Sequence, residues 1–102
     1  MSPIRIDSLD DSRLARSRAE ALASRGRGDA LIREDLEGSG VSSEAIEEAL
    51  GTLEPEADRA RQIAAAKGQS AGTARYLARN GFSEDAIETA VGSIAGGEAA
   101  GV

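Results

Sequence analysis

The feature that most constrains this chain is an internal repeat. Shifting the sequence by 41 residues lays Gly40–Leu53 on Gly81–Ile94, and seven of those 14 pairs are identical, with five more conservative. The same shift puts Leu36 on Leu77, and Arg18, Ala19, Leu22 and Ala23 on Arg59, Ala60, Ile63 and Ala64. A fixed offset of this kind marks stacked supersecondary units, each of which buries its apolar face on its neighbours. At 102 residues the chain holds two such units.

The periodicity within each unit is helical. Leu14, Ala15, Ala19 and Leu22 recur at one-face spacing after Asp10 and Asp11, which are good N-cap residues. Gly26-Arg27-Gly28 breaks that helix near Arg25. A short second helix is expected from about Asp29 to Gly38, with Ile32 and Leu36 inward. A third follows Ser42 and ends near Gly51, with Ile46, Ala49 and Leu50 inward. In the second unit a helix starts at Pro55, suited to the first helical position, and runs to Lys67. A shorter one covers roughly Ala71 to Asn80.

The corner between second and third helices is closely specified. Gly40 suits the left-handed position after a helix, and Val41 beyond it can touch Leu36. Ser42 caps the next helix, and Val41 also reaches Ile46 as a hydrophobic staple. Leu77, Gly81, Phe82, Ser83 and Ile87 repeat the device. The expected fold is therefore all-α: two tandem three-helix repeats, residues 9–53 and 54–94, in a slightly curved array. Residues 1–8 read as an extended N-terminal segment and 95–102 as a flexible tail. The expected buried set is Leu14, Leu22, Ile32, Leu36, Val41, Ile46, Leu50, Ile63, Leu77, Phe82, Ile87 and Val91.

Composition narrows the chemistry. There is no cysteine and no histidine, which removes disulfides, thiol or imidazole catalysis and the usual zinc sites. Carboxylates are plentiful but fall on helix faces and first turns, where the helix dipole accounts for them. No nucleophile with a base and no phosphate-binding glycine loop after a strand is found. The expectation is no enzyme, no metal, no cofactor and no small-molecule substrate. Aromatics are limited to Tyr76 and Phe82, too few for stacked-base recognition of single strands. No apolar run is long enough to span a membrane, and the start lacks a signal peptide's apolar stretch. The expected compartment is the cytoplasm.

Charge is segregated along the chain within a net −6. Residues 1–33 carry seven arginines and five acids; residues 34–58 carry nine acids and no base; residues 59–82 carry five bases and no acid. Such alternation suits solvated helix faces, or an acidic belt and basic patches that orient the molecule on a charged partner. A helix–corner–helix also raises major-groove DNA reading. The helix after each corner, however, offers Glu44, Glu47 and Glu48, or Glu84, Asp85 and Glu88, which would face phosphates. Arg18 and Arg59, which recur at equivalent positions, are expected to pack their stems and pair with acids of the next helix.

The repeat, the corner and the junction residues together resemble the RecX family, bacterial regulators of the RecA recombinase. Leu9-Asp10-Asp11, Leu14-Ala15, Arg18, Gly26-Arg27-Gly28, Ile32, Leu36 and Gly40-Val41 resemble the family's middle repeat. Tyr76-Leu77-Ala78-Arg79-Asn80-Gly81-Phe82-Ser83 with Ile87 resembles its last repeat. The likeness covers about residues 8–94, and it implies that the first of the usual three repeats is missing. Ser39 stands where a lysine is usual, and Asn80 where an arginine is usual. The resemblance implies a regulatory protein of DNA repair, recombination and the SOS response that docks on RecA filaments on DNA and restrains their assembly or activity. The expected contact residues are the basic stretches at Arg25 and Arg27 and at Arg75 and Arg79, at corresponding ends of the two repeats. Direct binding to DNA is expected to be weak or absent; a non-specific DNA-binding helical module is the alternative.

Overall fold

A computed structural model of the protein describes the backbone of residues 2–101 and the side chains of residues 11–92. Those residues form six helices and no strand: α1 (Ser2–Ser24), α2 (Asp29–Gly38), α3 (Ser43–Gly51), α4 (Glu56–Lys67), α5 (Ala71–Arg79) and α6 (Glu84–Gly101). They fall into two three-helix units in tandem. In each, the first helix packs chiefly on the third, and the short middle helix closes the bundle. The Cα radius of gyration is 16.2 Å and the extents are 64 × 19 × 19 Å. A compact chain of this length would have a radius near ~13 Å, so the units are laid end to end.

The corners are built as the local sequence dictates. Gly40 and Gly81 take φ of +85° and +89°, a region open to glycine at little cost. The Val41 amide donates to Leu36 O and the Gly40 amide to Glu37 O; Phe82 and Gly81 do the same to Leu77 O and Ala78 O. These are paired Schellman closures. The Ser42 hydroxyl then accepts from the Ala45 amide at 3.2 Å, and Ser83 accepts from Ala86 at 3.1 Å. Each corner therefore ends one helix and starts the next within three residues.

Burial differs from the sequence expectation in an instructive way. Ile32, Leu36, Val41, Ile46, Leu77, Phe82 and Val91 are buried, whereas Leu22, Leu50, Ile63 and Ile87 are only half-buried against the clusters. Leu14, expected inside, is 53% exposed. The reason is rotation about α1: Ala15 and Ala19 face the bundle, and Leu14 stands about 100° away from Ala15. Among the described residues, eight of the fifteen buried apolar ones are alanines, as four i, i+4 pairs: Ala15/Ala19, Ala45/Ala49, Ala60/Ala64 and Ala86/Ala90. Those pairs lie on the helices that pack most extensively, α1 on α3 and α4 on α6. Small side chains there let helix axes approach closely.

Two further corrections concern the ends. The segment 1–8, expected to be extended, belongs to α1 from Ser2 onward. Pro3 falls in the first turn, where its missing amide hydrogen leaves no helical bond unmade, and no breaker follows until Gly26. The segment 95–102, expected to be a flexible tail, lies in α6 as far as Gly101; its alanines favour continuing the helix. Met1 and Val102 lie outside the described residues.

Phe82 and Leu14 give the fold its test. Phe82→Ala should destabilise by about 3 kcal/mol, because it empties the corner of the second bundle. Leu14→Ala should stay within about 0.5 kcal/mol, as an exposed substitution does. Urea unfolding followed by far-ultraviolet circular dichroism measures both; equal losses would contradict the burial pattern.

Candidate interaction surface at the repeat joint

The buried residues form two separate clusters, one per unit. What joins the units is largely polar, and it centres on Arg59 in the first turns of α4. Arg59 is 8% exposed, one of two buried polar residues among the described residues. Its Nε donates to Glu54 O at 2.9 Å and its Nη1 to Arg27 O at 3.1 Å. Its Nη2 pairs with the Asp29 carboxylate at the start of α2. The guanidinium carbon lies 5.9 Å from the centroid of the Phe82 ring, within cation–π range. A buried arginine with three acceptors and a ring face has its charge accounted for.

Around this hub the second unit caps α2 of the first. The free amides at a helix start need acceptors from elsewhere. The Asp29 amide donates to Glu56 Oε2 at 2.8 Å, and the Ala30 amide to Gly81 O at 3.1 Å. The Gly28 amide donates to Asn80 O at 2.6 Å. This pairing demands contact between main chains. A Cβ on Gly28 would lie 2.5 Å from the Gly81 carbonyl and the Phe82 nitrogen, and one on Gly81 would lie 2.7 Å from Leu31. Asn80 completes the joint: its Oδ1 accepts from Arg27 Nη1 at 2.8 Å and its Nδ2 donates to Tyr76 O at 2.8 Å. An arginine at position 80 has no acceptor to offer Arg27.

This geometry relocates the basic stretches expected to bind a partner. They were expected at corresponding ends of the two repeats. Instead the turn carrying Arg25 and Arg27 meets the end of α5, which carries Arg75 and Arg79. Arg27 is half-buried and held by Asn80. Arg25, Arg75 and Arg79 are exposed, and among the described residues none of them forms an ion pair. Arg75 and Arg79 are four apart on α5 and share a face. Between them sits Tyr76, whose hydroxyl lies 3.4 Å from where a Cβ on Gly26 would be, and Lys67 Nζ stands 4.3 Å from the Tyr76 ring centroid. Sequence reasoning did not select Lys67, since nothing local links it to a residue nine positions away. The recurrence of Arg59 at the repeat offset was a signal for the hub, although its acid lies on an earlier helix of the other unit. Arg18 does pair as expected with the next helix, its Nε 2.5 Å from Asp35 Oδ1. That hydrogen bond and the charge of Asp35 raise the pKa of the Arg18 guanidinium above its ordinary value.

Much of the acidic belt is tied up within the fold. Asp35 meets Arg18, Glu47 meets Arg33, and Asp58 meets Arg61. Glu48 accepts from Ser12, Glu54 from Gln62 and Glu56 from the Asp29 amide. Among the described residues no cluster of acids is arranged to hold a metal ion, and no helix is long and apolar enough to cross a membrane.

Tandem three-helix units, with matched glycine corners and a polar joint, define a helical-repeat protein. Residues 10–50, which span most of the first unit, match the family model of RecX, second three-helix domain. Over those residues the chain is similar to the RecX family. No curated protein and no solved structure matches it.

The joint predicts an asymmetry between glycines. Gly28 has φ −86° and ψ 175°, which alanine adopts freely, so Gly28→Ala tests contact alone. It should lower the melting temperature by several degrees, whereas Gly38→Ala, with nothing within 4 Å of the new methyl, should leave it unchanged or raise it. A thermal melt of both variants checks this; equal behaviour would deny the close approach of Gly28 and Gly81.

Proposed function

We propose that this protein is a non-enzymatic regulator that docks on RecA filaments on DNA and restrains their assembly or activity. Its setting is DNA repair, recombination and the SOS response in the cytoplasm. The match of residues 10–50 to the second three-helix domain of RecX carries this reading. The contact residues we assign are Arg25, Arg27, Arg75 and Arg79. Support for them is geometric. Among the described residues three are exposed without an ion pair, and the joint sets the turn of the first unit against the helix of the second. Complementary charge across such a surface mainly speeds encounter and sets register. Arg27 has a double role, because its guanidinium also holds Asn80.

The test is single-stranded-DNA-dependent ATP hydrolysis by RecA with added protein. The wild-type chain should inhibit. A triple reversal, Arg25→Glu, Arg75→Glu and Arg79→Glu, should weaken inhibition at least tenfold while the helices persist. Arg27→Glu is measured apart, since it also removes a bond of the joint. Absence of inhibition by the wild type at large excess over RecA would overturn the regulatory reading. Inhibition that survives the triple reversal would overturn the face and leave the partner standing.

Binding to naked DNA should be feeble. The net charge of −6 opposes a polyanion, and few cations are free to displace counterions. Fluorescence anisotropy with labelled duplex and single strand should show binding only at low salt, lost by about 0.15 M. Tight binding that persists at that salt would favour a non-specific DNA-binding module instead.

A further inference from the structure

We propose that the joint around Arg59 is a hinge: the two repeats are separately cored bodies whose relative angle is set by this polar contact, and the contact yields before either bundle does. The first argument is the division of the apolar residues. Ala15, Ala19, Ile32, Leu36, Val41, Ala45, Ile46 and Ala49 form one cluster, and Ala60, Ala64, Leu77, Phe82, Ala86, Ala90 and Val91 form another. Among the described residues no buried cluster crosses between them. Apolar approach across the joint is local: Leu31 lies against the Gly81 main chain, and Ile63 and Tyr76 lie near Gly26.

The second argument is the chemistry of what does cross. Arg59 to Asp29 and to Arg27 O, Glu56 to the Asp29 amide, Arg27 to Asn80, and two main-chain bonds from Gly28 and Ala30 make up the hydrogen bonds of the joint. Once the units part, water can take the place of each of these partners, and Asp29 is already about a third exposed. Each bundle keeps its own apolar burial when that happens. Repeat stability divides into an intrinsic term per unit and an interface term, and here the interface term is polar, with Arg59 the one side chain at the joint, among the described residues, that is buried and charged. The hinge also has a natural axis, since the chain passes between units only through Thr52 to Pro55. An array jointed in this way fits its angle to the surface it docks on without unfolding a helix. Arg59 is then a positioning residue: it sets how far Arg25 and Arg27 stand from Arg75 and Arg79.

The experiment uses the full chain, which has no native cysteine. Cysteines introduced at the exposed positions Glu37 on α2 and Thr89 on α6 carry a spin-label pair, and the inter-label distance distribution is read by pulsed dipolar spectroscopy. The parent should give one narrow distribution. In Arg59→Met, which keeps the stem over Phe82 but loses every donor, the distribution should broaden at least twofold. Helix content by circular dichroism should stay within a tenth of the parent. Asp29→Asn, which keeps size and removes the charge, should broaden it to a lesser degree. Arg18→Met, which breaks a pair inside one unit, should leave the distribution unchanged. Parent-like distributions in both Arg59→Met and Asp29→Asn would overturn the hinge. So would loss of helicity in step with the change in distance, because the joint would then belong to a single shared core. The measurement involves no RecA, so its outcome is independent of the proposed partner.

Discussion

A guanidinium removed from water at the meeting of two bundles is the constraint on which the arrangement rests. Burying a charge is costly unless its hydrogen bonds are remade, and a lone buried cation would push the units apart. Arg59 remakes them with a carboxylate and two carbonyls, and its face lies against Phe82. Only arginine supplies donors in a planar fork that reaches three acceptors at once; lysine has a single point of charge. The acceptors come from the linker, from the Gly26-to-Gly28 turn and from the first residue of α2. The side chain thereby fixes where three separate stretches of backbone lie. The start of α2 is in turn capped by Glu56, which accepts from the Asp29 amide, and by the second corner, which accepts from the Ala30 amide.

Inside each bundle a different economy operates. Twenty-one large apolar side chains serve a chain of 102 residues, too few for cores built of leucine and isoleucine throughout. The alanine pairs resolve this. With Ala15/Ala19 facing Ala45/Ala49, and Ala60/Ala64 facing Ala86/Ala90, the helices of each main pair come close together. A few large side chains, chiefly Ile32, Leu36 and Ile46 in one unit and Leu77 and Phe82 in the other, then suffice to fill the gap under the short helix.

The parts of this structure legible in the sequence are those whose causes lie within a few residues of one another. Leu36, Gly40, Val41, Ser42 and Ile46 specify a corner by themselves, and its bonds form as expected. Helix limits set by glycine and serine were equally readable for α2 and α3. Leu14 was misplaced because hydrophobicity was weighed above rotation: the neighbouring Ala15 looks weaker on any transfer scale, yet it faces the partner helix. The joint was illegible for a different reason. Its partners are Asp29 with Arg59 and Arg27 with Asn80, separated by 30 and 53 residues, and no local pattern links such positions. Charge segregation along the chain misled in the same way. Acids of residues 34–58 meet arginines of other segments in space, and the expected belt is partly neutralised.

The two units are alike in sequence but not in what their matched residues do. Arg18 and Arg59 occupy equivalent places, yet one is exposed and the other buried. One further position differs in step with this. Asp35 in the first unit corresponds to Tyr76 in the second, so Arg18 finds its acid within its own bundle and remains at the surface. Arg59 has no acid there; it reaches back to Asp29 and draws the units together. The corner glycines follow suit. Gly81 lies under Leu31 and the start of α2, while a side chain on Gly40 would meet nothing within 4 Å. Tyr76 meanwhile takes up the room the acid would have held, turning its hydroxyl toward Gly26 and its ring toward Lys67. The exchange of a carboxylate for a phenol at this position thus accompanies the change from a surface ion pair to an inter-repeat joint.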